Sequence, residues 1–177
     1  MYSKADTHIH TTFSDGLFSP QELVEHVAVE TDMAVIAITD HNTAEGALLA
    51  AEHAQRQQLP LEVIVGQEVT TDEGDIVGLF LERSLPAYRR AADAIDAIHA
   101  QGGLAIAVHP FCYWSSFRQM LGVGSKIAHL PLDGVEVRNG FPTSFASNRY
   151  AVWFNRRRGQ TISELGGSDS HVPYTVG

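Results

Sequence analysis

Met33-Ala34-Val35-Ile36-Ala37-Ile38-Thr39-Asp40-His41-Asn42 is the stretch that decides the fold. Six apolar residues run without a break and end on an acid and an imidazole. So short an apolar run, closed by polar residues, predicts a strand covered on both faces, as in a parallel sheet flanked by helices. An Asp-His pair directly after such a strand is costly to bury unless it finds partners.

Working outward, the same arrangement recurs. Residues 4–9 predict a first strand, leading through Asp6-Thr7-His8-Ile9-His10. Leu61 to Val69 predicts a strand carrying Gly66-Gln67-Glu68, and Leu104 to Val108 one that runs into His109-Pro110. Gly134 to Val137 reads as another buried strand. Thr161 to Leu165 reads as the last, followed by Gly167-Ser168-Asp169-Ser170-His171. Ile76 to Leu81, after the Asp72-Glu73-Gly74-Asp75 turn, reads as the hairpin partner of the strand before it.

Helices fill the intervals. Ser19-Pro20-Gln21-Glu22 is a capping box with proline at the first helical position, and Leu23, Val24, Val27 and Ala28 form the apolar face behind it. Asn42 or Thr43 is expected to cap a second helix reaching about Gln58. Pro86 is expected to open a third, with Ala91, Ile95 and Ile98 on one face and Gly102-Gly103 at its end; residues 144–158 read as a fourth. This βα rhythm is that of an α/β protein, and a barrel suits it better than a sandwich. The loaded residues fall at strand C-termini, where α/β barrels keep their sites. The chain runs only six residues past His171, so a barrel incomplete at its C-terminus, or a chain cut short, is expected.

The 177 residues are enough for one domain, 1–177, with a sizeable core. No window approaches the roughly 18 apolar residues that cross a bilayer, and the N-terminus lacks a signal-peptide core. Cys112 is the only cysteine; a reducing cytoplasm is expected. The net charge of −9 argues against a protein that coats nucleic acid, although bound divalent cations would offset part of it. Arg156-Arg157-Arg158 is the one basic cluster and reads as a solvated helix end.

His8 and His10 share one face of an extended strand, so both imidazoles can reach one ion. Asp169 and His171 share a face in the same way. Asp15, Asp40, His41, Glu68 and His109 each follow an apolar run or sit in the turn beyond one. Any one of these has an ordinary reading as a cap, a turn or a satisfied buried group. Five such segments in one short chain point to a site for divalent metals. His26, His53, His99 and His129 lie on predicted helices or before a loop and read as surface or packing residues.

The chain resembles the PHP (polymerase and histidinol phosphatase) family of metal-dependent phosphoesterases. The matching pieces are the segments already quoted, together with Phe13-Ser14-Asp15-Gly16 and Val135-Glu136-Val137-Arg138-Asn139-Gly140. The resemblance implies a distorted (β/α)7 barrel and two or three divalent ions. His8, His10, Glu68 and Asp169 would hold one ion. Glu68 would bridge to a second, also bound by His109, and Asp15, His41 and His171 would hold a third. Glu68, His109 and Asp169 would form the catalytic centre. Trinuclear relatives carry one more histidine on the second ion; this chain carries Asp75 at the corresponding place, which makes either Asp75 a further candidate ligand or the second site a weak one.

The mixed ligand set suits Zn, Mn or Fe, and Mg less well. Two such ions bridge a hydroxide and bind phosphate oxygens, so no Ser, Cys or Lys nucleophile is needed. Cys112 then reads as a packing thiol. Asp6 and Asp40 are expected to orient imidazoles rather than to bind metal. Arg118 and Arg138 are candidate phosphate-binding residues. The expected activity is hydrolysis of a small phosphorylated metabolite or nucleotide through a metal-bound hydroxide, with no membrane and no obligate protein partner. The alternatives are a metal-dependent 3'-5' exonuclease or other nuclease, with nucleic acid only as substrate, a phosphotyrosine phosphatase, and a metal-binding module without turnover. Amidohydrolase barrels with a bridging lysine are discounted, because Lys4 and Lys126 are the only lysines and neither ends a suitable strand.

Overall fold

The computed structural model describes residues 3–112, 121–157, 159 and 161–177. Seven strands form one sheet in chain order: β1 (Lys4–Ile9), β2 (Met33–Ile38), β3 (Glu62–Val69), β4 (Ile76–Leu79), β5 (Leu104–Ala107), β6 (Gly134–Asn139) and β7 (Ser163–Gly167). Neighbouring strands are parallel except at β4, which runs antiparallel to both β3 and β5. The outer strands meet at their upper ends. Ile9 bridges Ser170 in parallel, the His10 N–H donates to the Ser170 carbonyl at 2.9 Å, and the Asp169 N–H donates to the His8 carbonyl at 2.9 Å. The sheet is thereby nearly closed into the expected distorted barrel.

Alternation along the strands sorts the side chains into an inner and an outer set. Ala37, Ile64, Val77, Leu79, Ile106, Val108 and Leu165 pack together as an apolar plug inside the barrel. Outside, α1 (Pro20–Glu30) and α2 (Glu45–Gln57) cover β1 to β3 through Leu23, Val24, Val27, Ala47 and Ala50 against Ile9, Ile36 and Ile38. On the other side α3 (Ala91–His99) and α4 (Phe145–Arg157) bury Ala94, Ile95, Ile98 and Ala151 against Ile76, Ala105, Ala107, Val135 and Val137.

The capping box forms as expected: Ser19 Oγ accepts the Glu22 N–H at 3.3 Å and Glu22 Oε2 accepts the Ser19 N–H at 3.0 Å. Two helix starts differ from expectation, for one reason. Of the two expected caps, Thr43 Oγ1 accepts the Glu45 N–H at 3.2 Å, and Asn42 does not cap α2. It turns back to β3, its amide donating to Thr70 Oγ1 at 3.0 Å and its carbonyl accepting the Thr70 N–H at 2.9 Å, and α2 begins at Glu45. The segment after Pro86 is also drawn to the end of β3, with the Tyr88 N–H donating to the Thr70 carbonyl at 3.0 Å, so α3 begins only at Ala91, where Glu73 caps its first N–H. In both cases tertiary bonds at the rim override local helix signals.

Candidate metal centre

The topology brings the loaded residues to one rim. Glu68 lies four positions after inward-facing Ile64 on β3, and so faces inward. Asp75 precedes β4 by one residue and has the parity of inward-facing Val77 and Leu79. Because β4 is reversed, its start lies at the same rim as the ends of its neighbours. That is why a residue before a strand joins residues that follow strands.

Four groups of side chains converge there, each with its ligating atoms within 4.8 Å of one another: His8, His10 and Glu68; His8, His109 and Asp169; Glu68, Asp75 and His109; and His10, Asp15, His41 and His171. Every residue read as a candidate ligand from the sequence is thus in the cluster, Asp75 included. Glu68 is its hub. Glu68 Oε2 lies 3.2 Å from His8 Nε2, 3.3 Å from His10 Nε2 and 3.3 Å from His41 Nδ1, and Oε1 lies 3.0 Å from His109 Nε2. Asp169 Oδ1 is 3.3 Å from His10 Nε2, and Asp15 Oδ1 is 3.2 Å from His171 Nε2.

The residues present fit divalent cations. His10 Nε2, Asp15 Oδ1, His41 Nε2 and His109 Nδ1 are buried atoms that make no well-directed hydrogen bond, although the first two have charged neighbours within 3.3 Å. Such orphans are rare in folded proteins, and four in one cluster are all of the nitrogen and carboxylate type that binds these ions. The backbone is also bent to the purpose: His109 and Asp169 have positive φ values of 29° and 54°, strain of the kind that functional sites store.

Without cations, the crowded charges shift one another. Burial disfavours the charged His8 imidazole, but Asp169, Glu136 and Glu68 outweigh it and raise its pKa well above the usual histidine value. His10 and His109 are likewise raised, each to about 9, by Asp169 and Glu68 in the first case and chiefly Glu68 in the second, against their burial. Glu68 and Asp169 are held well below the usual carboxylate range by the surrounding imidazoles, although burial opposes this. Asp75 moves the other way, to about 7, through burial and the negative charge of Glu68.

Two residues that hold the cluster together stand in the sequence only within a segment quoted for the resemblance, with no role given to them. Glu136 Oε1 lies 3.1 Å from His8 Nδ1, while Oε2 accepts the His109 N–H at 2.7 Å. One carboxylate therefore orients an imidazole and fixes the strained backbone of another. Asn139 Nδ2 donates to Glu136 and to Asp169 Oδ2, both at 3.0 Å. The available signal was an acid between two valines in Val135-Glu136-Val137. Gly167 makes room for this network, since a Cβ there would collide with the His8 Cβ and lie 2.8 Å from Glu136 Oε1.

Three expectations change. Asp6 and Asp40 touch no imidazole. Asp6 accepts backbone N–H groups of Ser168 at 2.8 Å, Gly177 at 3.1 Å and His8 at 3.3 Å, lacing β1 to the segment after β7. Asp40 accepts from the Thr11 N–H, the Thr11 hydroxyl and the Ser14 hydroxyl, each at 2.7 Å, and reaches His10 only through Ser14, 3.4 Å from Nδ1. Arg138 does not face the cluster. A bulge between Glu136 and Arg138 reverses the alternation and pairs Arg138 with Gly166; it lines an outer cavity of about 370 Å³ with Asp6, Gly166, Ser168 and Thr175. Arg118 lies outside the described residues. Cys112 is buried and unpaired. The remaining histidines keep to the surface or to packing: His53 pairs with Glu25 and His99 with Asp133, both at 2.8 Å, His26 sits edge-on to Phe18, and His129 is exposed.

Comparison with known proteins agrees with this geometry. The PHP domain family model matches residues 6–102. The uncharacterised protein MJ1587 of Methanocaldococcus jannaschii is 37% identical over 160 residues, which is 84% of this chain and 89% of that protein. The 5'-3' exoribonuclease Rnm of Salmonella typhimurium is 44% identical over 88 residues; the match spans 48% of this chain and only 30% of that longer enzyme. Among solved structures, a two-domain protein of Bacteroides vulgatus described as containing a predicted PHP-like metal-dependent phosphoesterase superposes with a TM-score of 0.72 at 24% identity, over 97% of this chain and 53% of that one.

Proposed function

This chain belongs to the PHP domain family, and from that premise we propose that it is a divalent-metal-dependent phosphoesterase acting on a small phosphorylated metabolite or nucleotide. One observation carries the reading: nine His, Asp and Glu side chains converge on one rim with Glu68 at their centre and orphaned ligand atoms around it. His8, His10, Glu68 and Asp169 would hold one ion. Glu68, His109 and Asp75 would hold a second, and Asp15, His41 and His171, beside His10, a third.

Divalent ions at such a site supply neutralisation of phosphoryl charge and a water that ionises near neutral pH. The protein's own part is positioning. Glu68 offers its two oxygens to opposite sides of the cluster, Glu136 fixes His8 and His109, and Asn139 steadies Glu136 and Asp169. The apolar plug beneath excludes water from below. Asp15, His41 and His171 are the partly exposed members of the cluster. Cys112 is buried and lies in none of the four groups, so it is not the nucleophile. No helix among the described residues is long and apolar enough to cross a membrane. The reading includes a reducing cytoplasmic setting, which the lone free thiol supports.

The test is phosphate release from nucleotides, sugar phosphates and short oligonucleotides by metal-stripped protein resupplied with Mn, Zn or Mg, beside Glu68→Gln. Turnover that needs metal and is lost in the variant is the expected result. Metal bound with no turnover of any compound would overturn it in favour of a binding module. A nucleolytic version of the same chemistry is favoured by one further observation, the acid-free, arginine-bearing segment that contains α4.

A further inference from the structure

Between Glu136 and Glu164 the chain holds five arginines and no acid, in a protein of net charge −9. The centre of that segment is α4. Its buried positions are few, Ala151 and Asn155, with Val152 and Phe154 partly covered. Its outer side carries Phe145, Arg149, Trp153 and Arg157 at steps of four, one slowly winding ridge on which aromatic and guanidinium groups alternate. Phe145 is 73% exposed, and Tyr150 and Trp153 are each 47% exposed. Burial in the fold does not explain large aromatic rings so placed.

The ridge is ordered and connected to the metal rim. Tyr150 stacks on Trp153 with ring centroids 5.3 Å apart, and the Arg157 guanidinium lies 5.2 Å from the Trp153 ring centre. At the other end Phe111, two residues after His109, packs edge-on to Tyr150 at 4.6 Å. Phe111 and Tyr150, with Ser125, Ala146 and Ser147, line a cavity of about 490 Å³ at the head of the ridge. Asn148 clamps the α4 backbone to the site: it accepts the Asn139 N–H at 3.1 Å and donates to the Asn139 carbonyl at 2.9 Å, and Asn139 in turn holds Glu136 and Asp169.

We propose that Phe111 and the exposed ridge of α4 form a stacking platform for single-stranded nucleic acid, which leads a strand end to the metal rim. The proposal rests on the phosphoesterase reading and selects its nucleolytic version over a small metabolite. Aromatic faces accept any unstacked base, and the planar guanidinium fork of arginine matches phosphate. Arg156 is engaged with Glu164 at 3.4 Å, whereas Arg149 and Arg157 form no ion pair among the described residues. A small metabolite would be held at the rim and would use none of a helix-long row. The negative charge elsewhere on the protein repels a polyanion and so favours the one acid-free face.

The test is fluorescence anisotropy of an end-labelled single-stranded RNA of about twelve nucleotides, within the span of one such site, added to full-length metal-stripped protein so that nothing is cleaved. Binding is expected to weaken steeply with salt, to fall about tenfold or more in Trp153→Ala and in Arg149→Gln, and to be weaker for the same sequence as a duplex. Absence of binding, or binding unchanged in both variants, overturns the platform. Self-association that is lost in Trp153→Ala, without RNA binding, overturns it in favour of a second copy of the chain. Turnover of p-nitrophenyl phosphate by the metal-loaded wild type reads the other proposal separately: RNA bound without turnover defeats the phosphoesterase, and turnover without RNA binding defeats only the platform.

Discussion

At the open end of the rim, three imidazoles and one carboxylate meet: His10, His41, His171 and Asp15, with the last three partly exposed. At the closed end two carboxylates and one imidazole meet, Glu68, Asp75 and His109, all buried. The two aspartates report the contrast. Burial is the largest single influence on Asp15 and would raise it, but His171, His41 and His10 together outweigh it and lower the group to about 2, whereas Asp75 is raised to about 7 by deeper burial and the Glu68 carboxylate. Identical side chains thus shift in opposite directions because Asp75 is more deeply buried and faces Glu68, which together outweigh His109, whereas the imidazoles around Asp15 outweigh its burial. A nitrogen-rich end suits Zn or Fe, and an oxygen-rich end suits Mn or Mg. The cluster is therefore graded, and Glu68, a member of the closed end, also reaches to within 3.3 Å of His10 and His41 at the open end.

Removing that shared residue gives the largest effect. Glu68→Gln is expected to lower turnover by about a thousandfold or more, the loss of several kcal/mol of charge stabilisation, and to reduce bound metal at both ends. Steady-state kinetics with elemental analysis of the purified variant would check it. Retention of full metal content would mean that the two ends do not share Glu68.

Next in size is pH. Raised histidine pKa values mean that metal-free His10 and His109, at about 9, and His8, also raised, carry protons at pH 7. A cation binds only the neutral ring, so loading expels those protons. Apparent metal affinity should therefore rise with pH, by about tenfold per unit for each proton released, and flatten above about 9. The proton on Asp75 leaves earlier, near 7. Calorimetry in buffers of different ionisation enthalpy counts the protons, and a flat profile between pH 6 and 9, the window those shifts define, would refute the picture.

Glu136→Gln comes third. It keeps the shape but weakens the grip on His8 Nδ1 and on the strained His109 backbone. An outlying partner of this kind is worth about 10- to 100-fold in metal affinity or activity. The expected loss falls on the closed end, while the open end keeps its metal. Equal loss at both ends in metal titrations would count against the grading.

Much of this was legible in the sequence, for reasons that differ by region. Short apolar runs ending in His, Asp or Glu gave the strands and the rim, because burial on both faces leaves few other readings for Met33 to Ile38. Asp75 was legible only as a candidate, since its place at the rim depends on the reversal of β4. Arg138 was misjudged because a bulge changes strand parity without leaving a mark in composition. Glu136 escaped because one acid between valines looks like an ordinary buried exception until its partners, His8 and His109, are brought across the barrel. Helix starts near Asn42 and Pro86 were moved by bonds to Thr70, which no local pattern contains.

The sharpest test of the comparison has the smallest effects. His171→Ala removes one nitrogen at the open end, where His10, His41 and Asp15 remain and water can replace the lost ligand. Asp75→Asn removes one charge at the closed end, where Glu68 and His109 remain and the new amide can still accept the Leu121 N–H that Asp75 now takes at 3.0 Å. Each is expected to cost about tenfold in affinity for one ion. The difference lies in which metal is lost. His171→Ala should weaken Zn more than Mn, because it takes nitrogen from the nitrogen-rich end. Asp75→Asn should weaken Mn and Mg more than Zn, because it takes anionic oxygen from the oxygen-rich end, and it should also remove the step in metal uptake near pH 7 that Asp75 contributes. If both variants lost the same metal to the same extent in competition titrations, the two ends would be equivalent and the grading would fail, even with every ligand in place.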